Sequence, residues 1–88
     1  NSMLKLFKIS QEVNNDWDTY DSAVVVAENE EEAKLIHPDG FGIPIVKDTL
    51  DYDWVNDPAK VTAVFIGILN DNSGYKKGDV VIASFNAG

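Results

Sequence analysis

The chain has no cysteine. That removes disulfides, thiolate metal ligands and cysteine nucleophiles together, and it fits a reducing compartment. Histidine occurs once, at His37, so the chain offers no histidine dyad and no histidine-based metal cluster. Basic residues are scarce: 7 lysines and arginines stand against 15 aspartates and glutamates, giving a formal net charge of -8. Such a chain repels a phosphate backbone, which disfavours conventional nucleic-acid binding. The same charge suits solubility, a basic protein partner or mimicry of nucleic acid. No apolar run approaches the roughly 18 residues of a membrane span, and no signal-peptide pattern is visible. No membrane association is expected.

What is present is enough for one small core. Eighty-eight residues make a single domain, and 44% hydrophobic content beside 25% charged content argues against disorder. Asn1-Ser2 ahead of Met3 reads as a cloning remnant, with Met3 as the natural start.

The stretch from Asn14 to Pro38 carries the clearest pattern. An acidic aromatic loop, Asn14 to Asp21, leads into the continuous apolar run Ala23-Val24-Val25-Val26-Ala27. A run of that kind predicts a central strand, here Tyr20 to Glu28, because β-branched side chains are stiff in helices and pack well on a pleated surface. Asn29 then caps a helix expected to run to His37, with Glu30, Glu31 and Glu32 where the helix dipole favours negative charge and Pro38 as the stop. Ahead of it, Leu4 to Ser10 predicts a strand with lysines on both faces, which suits a sheet edge. Residues 38 to 57 form an irregular insert in which Ile45-Val46 and Tyr52-Trp54-Val55 are candidates for short strands, their apolar residues expected to pin the loop to the core. Asp57-Pro58 reads as a turn or single-turn cap. Lys60 to Leu69 and Asp79 to Phe85 predict two further strands, expected to pair as an antiparallel hairpin, with Gly67 marking a bulge or a close backbone approach.

The expected fold is therefore α+β: a mainly antiparallel four-stranded sheet in the order β-β-α-β-β, one short helix on one face, and the insert. One helix cannot cover both faces of such a sheet. The open face is left to the insert, to solvent-tolerant side chains or to a second copy of the chain, so a homodimer is among the expectations.

Candidate sites are few. Asp16, Asp18 and Asp21 share one loop, but their spacing lacks the glycine and the late bidentate glutamate of a calcium loop, so no metal is assigned. Trp17 and Tyr20 in the same polar loop either fold back on the core or form a recognition surface, since aromatics with polar handles are enriched in interface hot spots. Glu28 and Glu30 to Glu32 read as the solvated start of a helix. His37 reads as a structural residue at a helix end. Asp48, Asp51, Asp53 and Asp57 punctuate the insert with nothing to pair them for acid–base work. Gly40 and Gly42 lack the strand–turn–helix context of a phosphate loop. Neither a catalytic centre nor a cofactor is expected.

Two parts of the chain carry a resemblance. Phe7 to Gln11, Asn14 to Val25, Glu31-Glu32-Ala33, Ile36-His37-Pro38 and the closing Val80 to Gly88 resemble a family of small phage and prophage proteins of unknown function. The resemblance covers about the first 38 and last 10 residues and brings no catalytic residue with it. It implies a bacterial cytoplasm, infected or lysogenised, and a protein that acts by binding a host or defence component. The resulting expectation is a non-enzymatic binding protein. Its candidate surface is Asp16, Trp17, Asp18, Tyr20 and Asp21, joined by Phe85 and Asn86 if the last strand pairs with the second. Sequestration of a nucleotide or other small molecule, with help from Lys76 and Lys77, and nucleic-acid mimicry are the alternatives.

Overall fold

The computed structural model describes residues 3–13, 18–40, 54–55 and 57–86. Among these lie four strands, β1 (Lys5–Ser10), β2 (Thr19–Ala27), β3 (Thr62–Ile68) and β4 (Val80–Asn86), with one helix, α1 (Glu30–Ala33), and a 3-10 turn at Pro58–Lys60. The α+β class and the antiparallel sheet expected from the sequence are both present. Ile45, Val46, Asp48, Asp51, Tyr52 and Asp53 lie outside the described residues.

The strands cross the sheet in the order β3-β1-β2-β4, and every neighbouring pair is antiparallel. This corrects two expectations. First, β3 and β4 do not form a hairpin; they occupy opposite edges. Eleven residues, 69–79, join them, more than the roughly 2–5 of a hairpin loop. That connection crosses the ends of β1 and β2 and is tied to both: the Leu69 N–H donates to the Leu4 carbonyl at 3.0 Å, and the Gly78 N–H to the Val26 carbonyl at 2.8 Å. The Val26 N–H returns a bond to the Asp79 carbonyl at 2.9 Å. Gly78 makes this turn with φ 92, a conformation costly for any side chain with a Cβ. Second, β1 is not an edge strand. It lies between β3 and β2. Its lysines are compatible with that place because Lys8 points to solvent from the uncovered face and Lys5 sits, half-buried, at the strand end.

One face of the sheet holds the core. Phe7 lies opposite Val25 and Ile9 opposite Ala23, and all four are buried. Ala27 on the same face and Ala33, Trp54, Val55 and Val61 complete the cluster. Two residues of the insert, Trp54 and Val55, thus belong to the core as expected, at 0% and 1% exposure. The 3-10 turn that follows is capped by Asp57, whose Oδ1 accepts from the Ala59 N–H at 3.0 Å. A register shift between Leu6 and Phe7 leaves Ile66 without an opposite number, so the bulge falls beside Gly67.

α1 is shorter than its sequence pattern suggests. Asn29 is the cap, its Oδ1 accepting from the Glu32 N–H at 2.9 Å, and Glu32 reaches back to the Glu28 N–H at 3.3 Å. The helical bonds then give out after one turn. Leu35 donates to Glu32 and Ile36 to Ala33, three residues back instead of four. Pro38 disfavours helical geometry at the residue before it, so the chain tightens and leaves the helix early.

Candidate functional site

The pairing of β2 with β4 builds one end of the sheet into a cluster. Thr19 lies opposite Asn86 and Tyr20 opposite Phe85. The Asp18 N–H donates to the Asn86 carbonyl at 2.6 Å, which closes the end of the ladder. Asp18 holds φ 60, a left-handed conformation that aspartate tolerates better than most residues. The Tyr20 and Phe85 rings meet edge-on, with centroids 4.8 Å apart at 67°. Behind them stands His37, 6.1 Å from Tyr20 at 86°. Phe85 is nevertheless 46% exposed. Tyr20 is the anchor, packed against the core, and Phe85 is the part offered to solvent.

The cluster brings together Asp18, Tyr20, Phe85 and Asn86 as the sequence suggested. Asp16 and Trp17 lie outside the described residues. Asp21 takes a different place. It is the extra residue where the β2–β4 register shifts between Tyr20 and Ser22. Its carboxylate accepts from the Ser84 hydroxyl at 3.4 Å, on the opposite face of the sheet from Tyr20. His37, expected as a structural residue at a helix end, lies beyond the end of α1 and packs on Tyr20. Its Nδ1 lies 3.0 Å from the Asp39 N–H and 3.2 Å from the Asp39 carboxylate. A neutral ring accepts from the amide, whereas a protonated ring donates to the carboxylate. Only the folded proximity of Tyr20 and His37 reveals the contact.

The open face of the sheet forms a second arrangement. One row across it is Val64, Lys8, Val24 and Ile82; the next is Thr62, Ser10, Ser22 and Ser84. Lys8, Ser22, Val24, Ile82 and Ser84 line a shallow hollow of about 310 Å³. Val64 is 50% exposed and Ile82 66%. The Lys8 ammonium makes no hydrogen bond or ion pair with any described residue. At the far end of β2 the acidic run holds an exposed ion pair, Lys77 to Glu28 at 3.2 Å, which raises the lysine pKa above its ordinary 10.5.

Among the described residues, no three His, Cys, Asp or Glu side chains gather as a metal site. No described helix is long and apolar enough to cross a membrane. No protein-family model, curated protein or solved structure matches the chain.

Proposed function

We propose that the chain is a non-enzymatic binding module that docks a positively charged segment of a protein partner at the acidic aromatic end of β2 and β4. The observation that carries this reading is the half-exposed Phe85, braced edge-on by Tyr20 at the strand end where the exposed Asp18 bonds to Asn86. An ammonium or guanidinium over such a ring gains from the ring quadrupole and from the nearby carboxylate together. Asn86 adds an amide beside them, and Asp16 and Trp17 belong to the same loop by sequence. In the phage or prophage setting that the resemblance implies, the partner is a bacterial host or defence protein, met in the cytoplasm.

The alternatives draw less support. Nucleotide sequestration needs several cations around the phosphates, and the hollow on the open face offers Lys8 alone among the described residues. Mimicry of nucleic acid needs carboxylates in a phosphate-like row. The described ones are split instead, with Asp18 and Asp21 at one end of β2 and Glu28 and Glu30 to Glu32 beyond the other.

The test is an amide-shift titration of the labelled protein with lysine- and arginine-rich peptides, with acidic peptides as controls. Basic peptides should move the signals of residues 18–20 and 85–86, and Phe85→Ala should abolish the response while the remaining spectrum keeps its dispersion. Equal responses to acidic peptides, or shifts confined to other residues, would refute the reading.

A further inference from the structure

We propose that the open face of the sheet binds a second copy of the same face, with Lys8 of each copy paired to the partner's Asp21. The inference stands apart from the docking of a basic segment, which uses the other side of the sheet.

Charge comes first. On a chain of net charge -8, two copies repel wherever their acidic surfaces meet. The open face is the exception: its two rows carry one ammonium, Lys8, and the bulge adds one carboxylate, Asp21. A two-fold axis running between these two residues sets each ammonium on the opposing carboxylate, so the contact is made twice, as an isologous interface requires. The Lys8 ammonium has no ion pair or hydrogen bond among the described residues that would have to be broken first. Asp21 holds only a long bond from the Ser84 hydroxyl.

Shape agrees. The exposed part of the face is two rows deep across four strands, because Val26 in the next row is fully buried. Val64 and Ile82 stand proud of it, half or more exposed, beside a hollow able to receive side chains from the facing copy. Two twisted sheets pack in this way at about 10 Å, with the apolar row and the hydroxyl row between them.

The experiment is sedimentation of the purified chain alone over a concentration series, so its outcome does not depend on the docking partner. The wild-type chain should dimerise. Lys8→Glu and Asp21→Lys should each weaken the dimer about a hundredfold or more, since each places like charges opposite one another twice. Mixing the two variants should restore a heterodimer, and the double variant Lys8→Glu/Asp21→Lys should dimerise by itself. Ile82→Glu, at an exposed side chain, should weaken the dimer without touching the pair. A wild-type chain that stays monomeric up to its solubility limit would overturn the proposal. So would single variants that associate as wild type does, or a double variant and a mixture that both stay monomeric while circular dichroism shows the sheet intact. Association lost on Ile66→Glu but unaffected at Lys8 would assign the contact to the β3 edge instead, and would equally overturn it.

Discussion

Replacing Trp54 by alanine tests whether the insert is a structural part of the core. Trp54 has 0% exposure and packs among Phe7, Ile9, Val25 and Ala33. Removing a buried indole costs the lost transfer energy plus the cavity left behind, together about 3–5 kcal/mol. An 88-residue domain has a total stability of about 4–13 kcal/mol. The variant should therefore be close to unfolding, with a Tm lower by well over about 10 °C at roughly 4–8 °C per kcal/mol. Urea titration followed by circular dichroism gives the free energy. Loss of the blue-shifted part of the indole emission reports the site itself, since Trp17 is the other tryptophan. Tyr75→Ala, at an exposed side chain of the 69–79 connection, is the control and should change stability by about 0.5 kcal/mol or less. A Trp54→Ala loss under about 1 kcal/mol would mean that the core is complete without the insert, and the account of its packing would fail.

Three smaller perturbations follow from the same structure. Asn29→Ala removes the cap that holds the Glu32 N–H and should lower stability by about 1 kcal/mol in urea titration. Gly78→Ala meets no atom within 4 Å, so its cost is backbone strain alone at φ +92, about 1–2 kcal/mol; amide exchange at Val26 and Gly78 should quicken with it. Lys77→Met deletes the exposed pair with Glu28. Because the hydrogen bond and charge of Glu28 raise the lysine pKa in the folded state, any stabilisation is fully present below the ordinary 10.5 and is lost as pH rises through the raised value. Wild type and variant should therefore show the same pH dependence of Tm through the neutral range and part only in alkali.

Much of the local structure was legible in the sequence because it rests on local chemistry. Three adjacent valines announce β2, Asn29 announces its cap, and Asp57-Pro58 announces the turn that follows the insert. The sheet order was not legible, because it depends on what the 69–79 connection does. Adjacency in sequence suggested a hairpin, and only the bonds from Leu69 and Gly78 to Leu4 and Val26 show the chain passing across the sheet end. Lysines on β1 suggested an edge for a related reason. A charge on a strand needs water, but an uncovered sheet face supplies water as well as an edge does. Helix length was over-read because Lys34 to His37 has helical composition, while Pro38 acts upstream of itself. At the candidate site, the meeting of Tyr20 with Phe85 was conditional on β2–β4 pairing, which the sheet realises. The contact with His37 and the rows through Lys8 and Ser22 needed the register itself.

The bulge at Asp21 gives the two surfaces their independence. Were Asp21 an ordinary paired residue of the ladder, alternation would put Tyr20 and Ser22, two positions apart, on one face. With Asp21 bulged out, Tyr20 stays with Phe85 on the core side while Ser22, Ser84 and Asp21 share the open side. One irregularity in β2 thus places the exposed aromatic ring and the carboxylate proposed for self-association on opposite sides of the same sheet. Perturbations on the two sides should then be additive, as they are for sites without shared partners. Asp21→Lys should weaken association as above and leave the response of residues 85–86 to basic peptides intact, whereas Phe85→Ala should remove that response and leave association intact. Loss of both activities in either variant would show that the sheet offers one continuous surface, and that the bulge does not divide it.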